Sequence, residues 1–293
     1  MGMATKKLAV FVVALFLALS ASLSVVGQDS RPAESPLRFT PEAEGRRQVF
    51  IEAVDHDFKW RLRIPERVFC DEGVLVGHDI RAVHTPVEWT RQENGTLVYR
   101  RSNRDDTAHG NPVREIEYEF RIVPTSFGAA LSLVFKNAGE GTLHNLTGHV
   151  CLGHRSPPFR DPEYQRSYMR QEGDFLNLGE TGRGVDPIRT HYRIKGHQAI
   201  RIFDNPANRF WGPLSPEIAD SGLILTRSTQ GDYLVALWFD PAAELFHNCD
   251  ESNMCIHSDP TYGDLAPGAS VRVEGRLILF AGSLEDFESK YLE

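Results

Sequence analysis

Residues 115–122 read Glu-Ile-Glu-Tyr-Glu-Phe-Arg-Ile, and this strict alternation constrains the fold more than any other stretch. With a period of two, Ile116, Tyr118, Phe120 and Ile122 share one face, while Glu115, Glu117, Glu119 and Arg121 share the other. A strand with one buried and one wet side requires this pattern, and no helix accommodates it. Leu131, Leu133 and Phe135 resume the alternation directly after Pro124 and Gly128, which supply a turn. The same reading predicts strands over 49–54, 58–64, 96–101, 144–152, 191–195, 199–203, 222–226, 233–239 and 271–280.

Two stretches read as helices. Asp161-Pro162-Glu163 places a cap, a first-turn proline and an acid ahead of residues 164–171. Ser283-Leu284-Glu285-Asp286 has the form of a capping box opening a short C-terminal helix. Many strands with few helices predict an all-β fold, a large antiparallel β-sandwich carrying one or two short helices.

The N-terminus reads as an address rather than as structure. Lys6 and Lys7 precede an uncharged apolar run over 8–19, and Val25-Val26-Gly27 supplies small residues for cleavage before Gln28. Residues 1–27 are therefore expected to be a signal peptide, which places the mature chain outside the cell or in a periplasm. Residues 28–45 are polar and hold Pro32, Pro36 and Pro41, so a flexible lead-in is expected there. Residues 46–293 are expected to form the single sandwich domain, with no membrane span left after cleavage.

The chain carries 32 Lys and Arg against 40 Asp and Glu, and losing Lys6 and Lys7 moves the net charge from −8 to −10. That sign argues against nucleic acid and anionic membranes as partners. There is no G-x-S-x-G elbow, no H-E-x-x-H pair, no P-loop and no dinucleotide fingerprint.

Chemistry-bearing residues concentrate in a few segments. In His247–Asp259, each of Cys249 and Cys255 has a histidine two residues outside it. Export favours a disulfide between Cys249 and Cys255, with Cys70 and Cys151 left over. Pairing outward from that loop would set His247 opposite His257, with Asp259 on the face of His257. Two imidazoles and a carboxylate are suited to a divalent metal, held by His247 and His257, or to acid–base work on a sugar. Arg155 and Arg160, in the loop leaving a strand end at Cys151–Asp161, are candidate grips for substrate hydroxyls or a carboxylate. Trp211, beside Asn208 and Arg209, is a candidate stacking platform for a sugar ring.

Asn145-Leu146-Thr147-Gly148-His149 resembles the N-L-T-N-H segment of the aldose 1-epimerases, the galactose mutarotases. Gly148 stands where that family has asparagine, and Val76-Gly77-His78 is the nearest approach to its H-G-G segment. The resemblance implies a galactose mutarotase-like supersandwich. It also implies that His149 is the general acid at the ring oxygen of a sugar. It supplies no counterpart for the family's glutamate base, a role for which His257 and Asp259 are the candidates.

Three functions follow as expectations. The first is carbohydrate binding or processing on one open face, epimerase-like or lyase-like, centred on His149, His257 and Asp259 and needing no cofactor. The second is a non-catalytic module that binds a glycan or a protein in an envelope or extracellular assembly. The third is a hydrolase that uses a divalent metal at His247 and His257.

Overall fold

The computed structural model describes residues 34–43, 46–77, 87–105, 114–182, 188–197 and 214–293. In chain order the strands begin with β1 (Leu37–Pro41), β2 (Gln48–Ala53), β3 (Lys59–Cys70), β4 (Gly73–Val76), β5 (Thr90–Arg91) and β6 (Leu97–Ser102). They continue with β7 (Ile116–Thr125), β8 (Gly128–Asn137), β9 (Leu143–His154), β10 (Ser167–Gln171), β11 (Asp174–Asn177) and β12 (Arg189–Ile194). The last six are β13 (Leu214–Ala219), β14 (Gly222–Arg227), β15 (Tyr233–Asp240), β16 (Ala242–Asn248), β17 (Cys255–Leu265) and β18 (Ser270–Ala281), followed by helix α1 (Leu284–Tyr291).

These strands form two nine-stranded sheets. The first runs β1-β2-β3-β9-β17-β16-β12-β13, with β4 pairing on β3. The second runs β11-β10-β14-β15-β18-β8-β7-β6-β5. All pairings are antiparallel except β12 with β13. The alternation at 115–122 places Ile116, Tyr118, Phe120 and Ile122 of β7 in the main core, beside Leu131, Leu133 and Phe135 of β8. The first sheet contributes Leu62, Ile64, Val150, Leu152, Leu245 and Ile256 to that core. The all-β antiparallel sandwich expected from the sequence is therefore the architecture found.

Two local expectations fail. The lead-in over 28–45 is not flexible throughout: residues 37–41 form β1, with Leu37 against Ala53 and Pro41 against Val49. Leu37 and Phe39 are buried, while Arg38 and Thr40 face outward. Pro36 precedes this strand and Pro41 is its last residue, and β1 lies at the sheet edge, where a missing ladder donor is tolerated.

The helix expected over 164–171 is a strand instead. Asp161 does act as a cap, its carboxylate accepting from the Gln165 and Arg166 amides at 3.0 and 2.9 Å. Tyr164 then takes a positive φ of 62°, and β10 is held between β14 and β11. Strand pairing on both edges overrides the local helix signal. The strand expected over 199–203 lies outside the described residues.

The C-terminal helix forms as its sequence reads. Ser283 accepts from the Asp286 amide at 3.1 Å, and Asp286 accepts from the Ser283 amide at 2.9 Å. Phe287 buries its ring against Phe280, closing a smaller apolar cluster on the outer side of the second sheet. Ser283→Ala removes one half of the box and is expected to cost about 1 kcal/mol. Urea denaturation of the variant against wild type measures it.

Candidate functional site

Alternation along the central strands of the first sheet separates two populations of side chain. Leu62, Ile64, Val150, Leu152, Leu245 and Ile256 face the second sheet. Their neighbours Arg61, Arg63, His149, Cys151, Glu244, Phe246, Cys255, His257 and Asp259 fall on the opposite face. Apart from Phe246 and half-buried Arg61, this second set is polar and yet buried: His149 and His257 are each 1% exposed and Asp259 0%.

The cluster is built on three strands. Its centre is His149 on β9, whose Nδ1 lies 2.6 Å from Asp259 Oδ2 on β17. The carboxylate accepts, which holds the proton on Nδ1 and leaves Nε2 as the nitrogen able to exchange one. Asp259 also accepts from the Val150 amide at 3.3 Å. The His257 ring lies 4.1 Å from that of His149. Burial, and next the nearby His149, push the His257 imidazole well below the usual histidine range, so it is neutral at pH 7.

Glu66 reaches this group through an irregularity in β3. Between Arg63 and Arg67 the chain advances four residues while its partner β9 advances two, from Cys151 to His149. The extra residues are accommodated at the cis Ile64–Pro65 bond, and Glu66 projects onto the polar face. Its carboxylate pairs with Arg63 Nη1 at 2.7 Å and lies 3.9 Å from His257 Nε2. One ligand atom from each of Glu66, His149 and His257 lies within 4.8 Å of the other two. Phe246 on β16 packs against His149, His191 and His257, at ring separations of 5.8, 4.4 and 4.7 Å. Beside it, His191 of β12 faces Glu244 at 3.4 Å.

The structure brings His149, His257 and Asp259 together; the spacing of two along β17 accounts only for the shared face of His257 and Asp259. Asp259 is bonded to His149 rather than standing across from it, so these two form one hydrogen-bonded pair and not two separate groups. Glu66, His191, Glu244 and Phe246 were missed. No local signal marks them, because a polar residue alternating with apolar ones is also what a strand with one wet face shows. The face is also not open, because every member of the cluster is solvent-excluded.

The pair His247–His257 does not form. In the β16–β17 hairpin Phe246 stands opposite His257 and His247 opposite Ile256, with Asn248 against Cys255. The expected register differs by one residue, and a one-residue shift moves a side chain to the other face. His247 thus points into the sandwich, its ring 4.0 Å from Tyr164 and its Nε2 3.1 Å from Ser167. A metal shared by His247 and His257 is excluded by this geometry.

The Cys249–Cys255 disulfide fails for the same reason. Cys249 packs in the main core near Tyr164, while Cys255 lies on the polar face, 3.1 Å from His257. No disulfide joins any of the four cysteines.

Arg155 and Arg160 follow β9, and Arg160 donates to the Glu251 carbonyl. Arg155 is exposed, and Arg160 is occupied in fixing a loop. Trp211 lies outside the described residues, as does the segment 1–27.

No protein-family model and no curated protein matches this sequence. Solved structures do match. A galactose mutarotase-like protein from Lactobacillus casei aligns with a TM-score of 0.51 at 10% identity, over 83% of this chain and 100% of its own. The fold is galactose mutarotase-like. A galactose mutarotase related enzyme from Lactobacillus acidophilus aligns at 9% identity and a TM-score of 0.46, over 85% and 98% of the two chains. A galactose mutarotase-like protein from Clostridium acetobutylicum aligns at 10% identity and 0.42, over 84% and 79%. At such identities the likeness concerns the galactose mutarotase-like fold alone, the fold that the segment at residues 145–149 implied.

Two measurements check this geometry. His149→Ala leaves the Asp259 carboxylate buried without its imidazole, and is expected to destabilise the fold by about 3 kcal/mol. A loss below about 0.5 kcal/mol in chemical denaturation would mean that the residue behaves as a surface histidine.

The second concerns pH. Burial, and next the field of His247, lower the His154 imidazole to about 3. The unfolded chain therefore binds a proton near pH 6.5 that native His154 refuses, so stability falls as pH drops below that value. His257 acts in the same direction, while exposed His144, raised by Glu72, acts against it. Replacing His154 with glutamine is expected to flatten the fall between about pH 6.5 and 4.5, above the range where most carboxylates titrate. Denaturation midpoints over that range read the difference in slope.

Proposed function

We propose that this is an exported protein that binds and processes carbohydrate on the polar face of its first sheet, in the manner of an aldose epimerase. The observation that supports it is the convergence of a carboxylate-held imidazole, His149 with Asp259, and a second carboxylate, Glu66, within reach of each other. Opening a cyclic hemiacetal requires one proton removed from the anomeric hydroxyl and one delivered to the ring oxygen. Both oxygens are bonded to the same carbon, so acid and base need not be far apart.

In this reading the His149 imidazolium, held by Asp259, donates its Nε2 proton to the ring oxygen. Glu66 takes the proton of the anomeric hydroxyl, with Arg63 fixing its carboxylate. Closure on the other face of the aldehyde reverses both transfers and returns the protein to its starting state. No redox group is required. The galactose mutarotase-like fold is consistent with this chemistry, and Arg155, exposed after β9, is the candidate grip for a substrate's outer hydroxyls. Because the cluster is closed to solvent, entry of a sugar requires the polar face to open. The second reading is a non-catalytic glycan- or protein-binding module of an extracellular or envelope assembly.

NMR exchange spectroscopy on the anomeric protons of a panel of free aldoses separates the two readings. The expected result is accelerated α–β interconversion for at least one sugar, reduced roughly 10²- to 10⁴-fold in Glu66→Gln. Sugar binding without acceleration would establish the non-catalytic module. Neither binding nor acceleration would overturn the carbohydrate assignment.

A further inference from the structure

Cys151, Cys255 and His257 form a second constellation on the polar face; none of the three carries proton transfer in the reading above, although Glu66 borders both groups. In the β9–β17 ladder Cys151 stands opposite His257, and Cys255 stands opposite Gly153. The two cysteines are therefore diagonal neighbours on one face, two positions apart. One ligand atom from each of Cys151, Cys255 and His257 lies within 4.8 Å of the other two, and Cys255 Sγ is 3.1 Å from His257 Nε2. Cys151 is 0% exposed, while Cys255 and His257 are each 1% exposed. Glu66 Oε2 lies 3.9 Å from the same imidazole nitrogen.

We propose that Cys151, Cys255 and His257 are the three protein ligands of a borderline-soft divalent ion of the zinc class, with the fourth coordination position facing Glu66. Ligand type is the first argument. Two thiolates and an imidazole suit zinc and reject calcium or magnesium, which require oxygen donors.

Distance is the second argument. Zinc–sulfur and zinc–nitrogen bonds of about 2.3 and 2.0 Å place tetrahedral ligand atoms roughly 3.3–3.8 Å apart. Atoms already within 4.8 Å reach that spacing by side-chain rotation.

The alternative use of two close cysteines is a disulfide. Diagonal neighbours on adjacent strands are about 7–8 Å apart. A disulfide spans about 4.4–6.8 Å between Cα atoms. An ion between the sulfurs fits the longer spacing.

Charge is the third argument. Two thiolates and the Glu66 carboxylate together exceed a dication by one negative charge. Arg63, 2.7 Å from Glu66 and 3.9 Å from Cys151 Sγ, supplies the matching positive charge.

The test uses the full mature chain. After equilibration with zinc and removal of excess, elemental analysis is expected to find about one ion per chain. Replacement by cobalt is expected to give thiolate-to-cobalt charge-transfer absorption with the visible bands of a tetrahedral site, displaced on adding zinc. The double variant Cys151→Ser, Cys255→Ser is expected to lose both signals, while Cys70→Ser and Cys249→Ser keep them.

The cobalt spectrum of the wild-type chain decides the matter even where the double variant does not fold. Zinc-free protein whose cobalt form shows no charge transfer overturns the proposal. So does a Cys151–Cys255 disulfide found by mapping non-reduced peptides. None of these readouts uses sugar exchange, so failure of the carbohydrate assignment and failure of the metal site are told apart.

Discussion

The polar face of the first sheet depends on one constraint, the pairing of β9 with β3 on one edge and β17 on the other. β9 and β3 are 12 residues long and β17 is 11, and they lie at the middle of the sheet rather than at its rim. Because side chains alternate, fixing Cys151 against Arg63 and His257 also fixes which face receives His149, Cys255 and Asp259. The apolar residues between them, Val150, Leu152 and Ile256, bury the other face in the core. The hydrophobic effect thus sets the register. The register then places the ionisable groups.

That placement carries a cost in stability. Burying a carboxylate costs several kcal/mol unless it is paired and hydrogen-bonded, and well-packed apolar residues would serve folding at least as well. The chain meets the cost locally. Asp259 accepts from His149 and from the Val150 amide, Glu66 is paired with Arg63, and His257 stays neutral. Titratable groups with shifted equilibria concentrate at functional sites. A second buried polar network, joining His154, Thr226, Ser167, His247 and Asp161, runs between the sheets and has a different character. Each of its members contacts another member, and together they tie β9, β10, β14 and β16 across the sandwich.

The two functional proposals use adjacent groups on one face. The His149–Asp259 dyad lies on one side of His257, and the two cysteines lie on the other. Glu66 is the residue common to both surroundings, and it reaches them because the irregularity in β3 adds two residues at the centre of the sheet. A regular β3 would leave the face with histidines and thiols but without this carboxylate.

Sequence alone determined the class of fold, because alternation such as that at 115–122 reports a two-faced strand wherever it occurs. It also determined α1, whose capping box is a local device, and the common face of Cys255, His257 and Asp259, which are spaced by two within one strand. Tertiary structure decided everything that depends on register between strands. The connection over 249–254 closes with Asn248 against Cys255, so His247 and Cys249 turn inward while His257 and Cys255 turn outward. A difference of one residue in that closure separates the expected histidine pair and disulfide from the observed arrangement, and nothing local encodes it. Pairing partners likewise made strands of residues 37–41 and 167–171, whose local signals pointed elsewhere. Glu66, His191 and Glu244 come from three separate strands, and only the order of strands across the sheet brings them to one face.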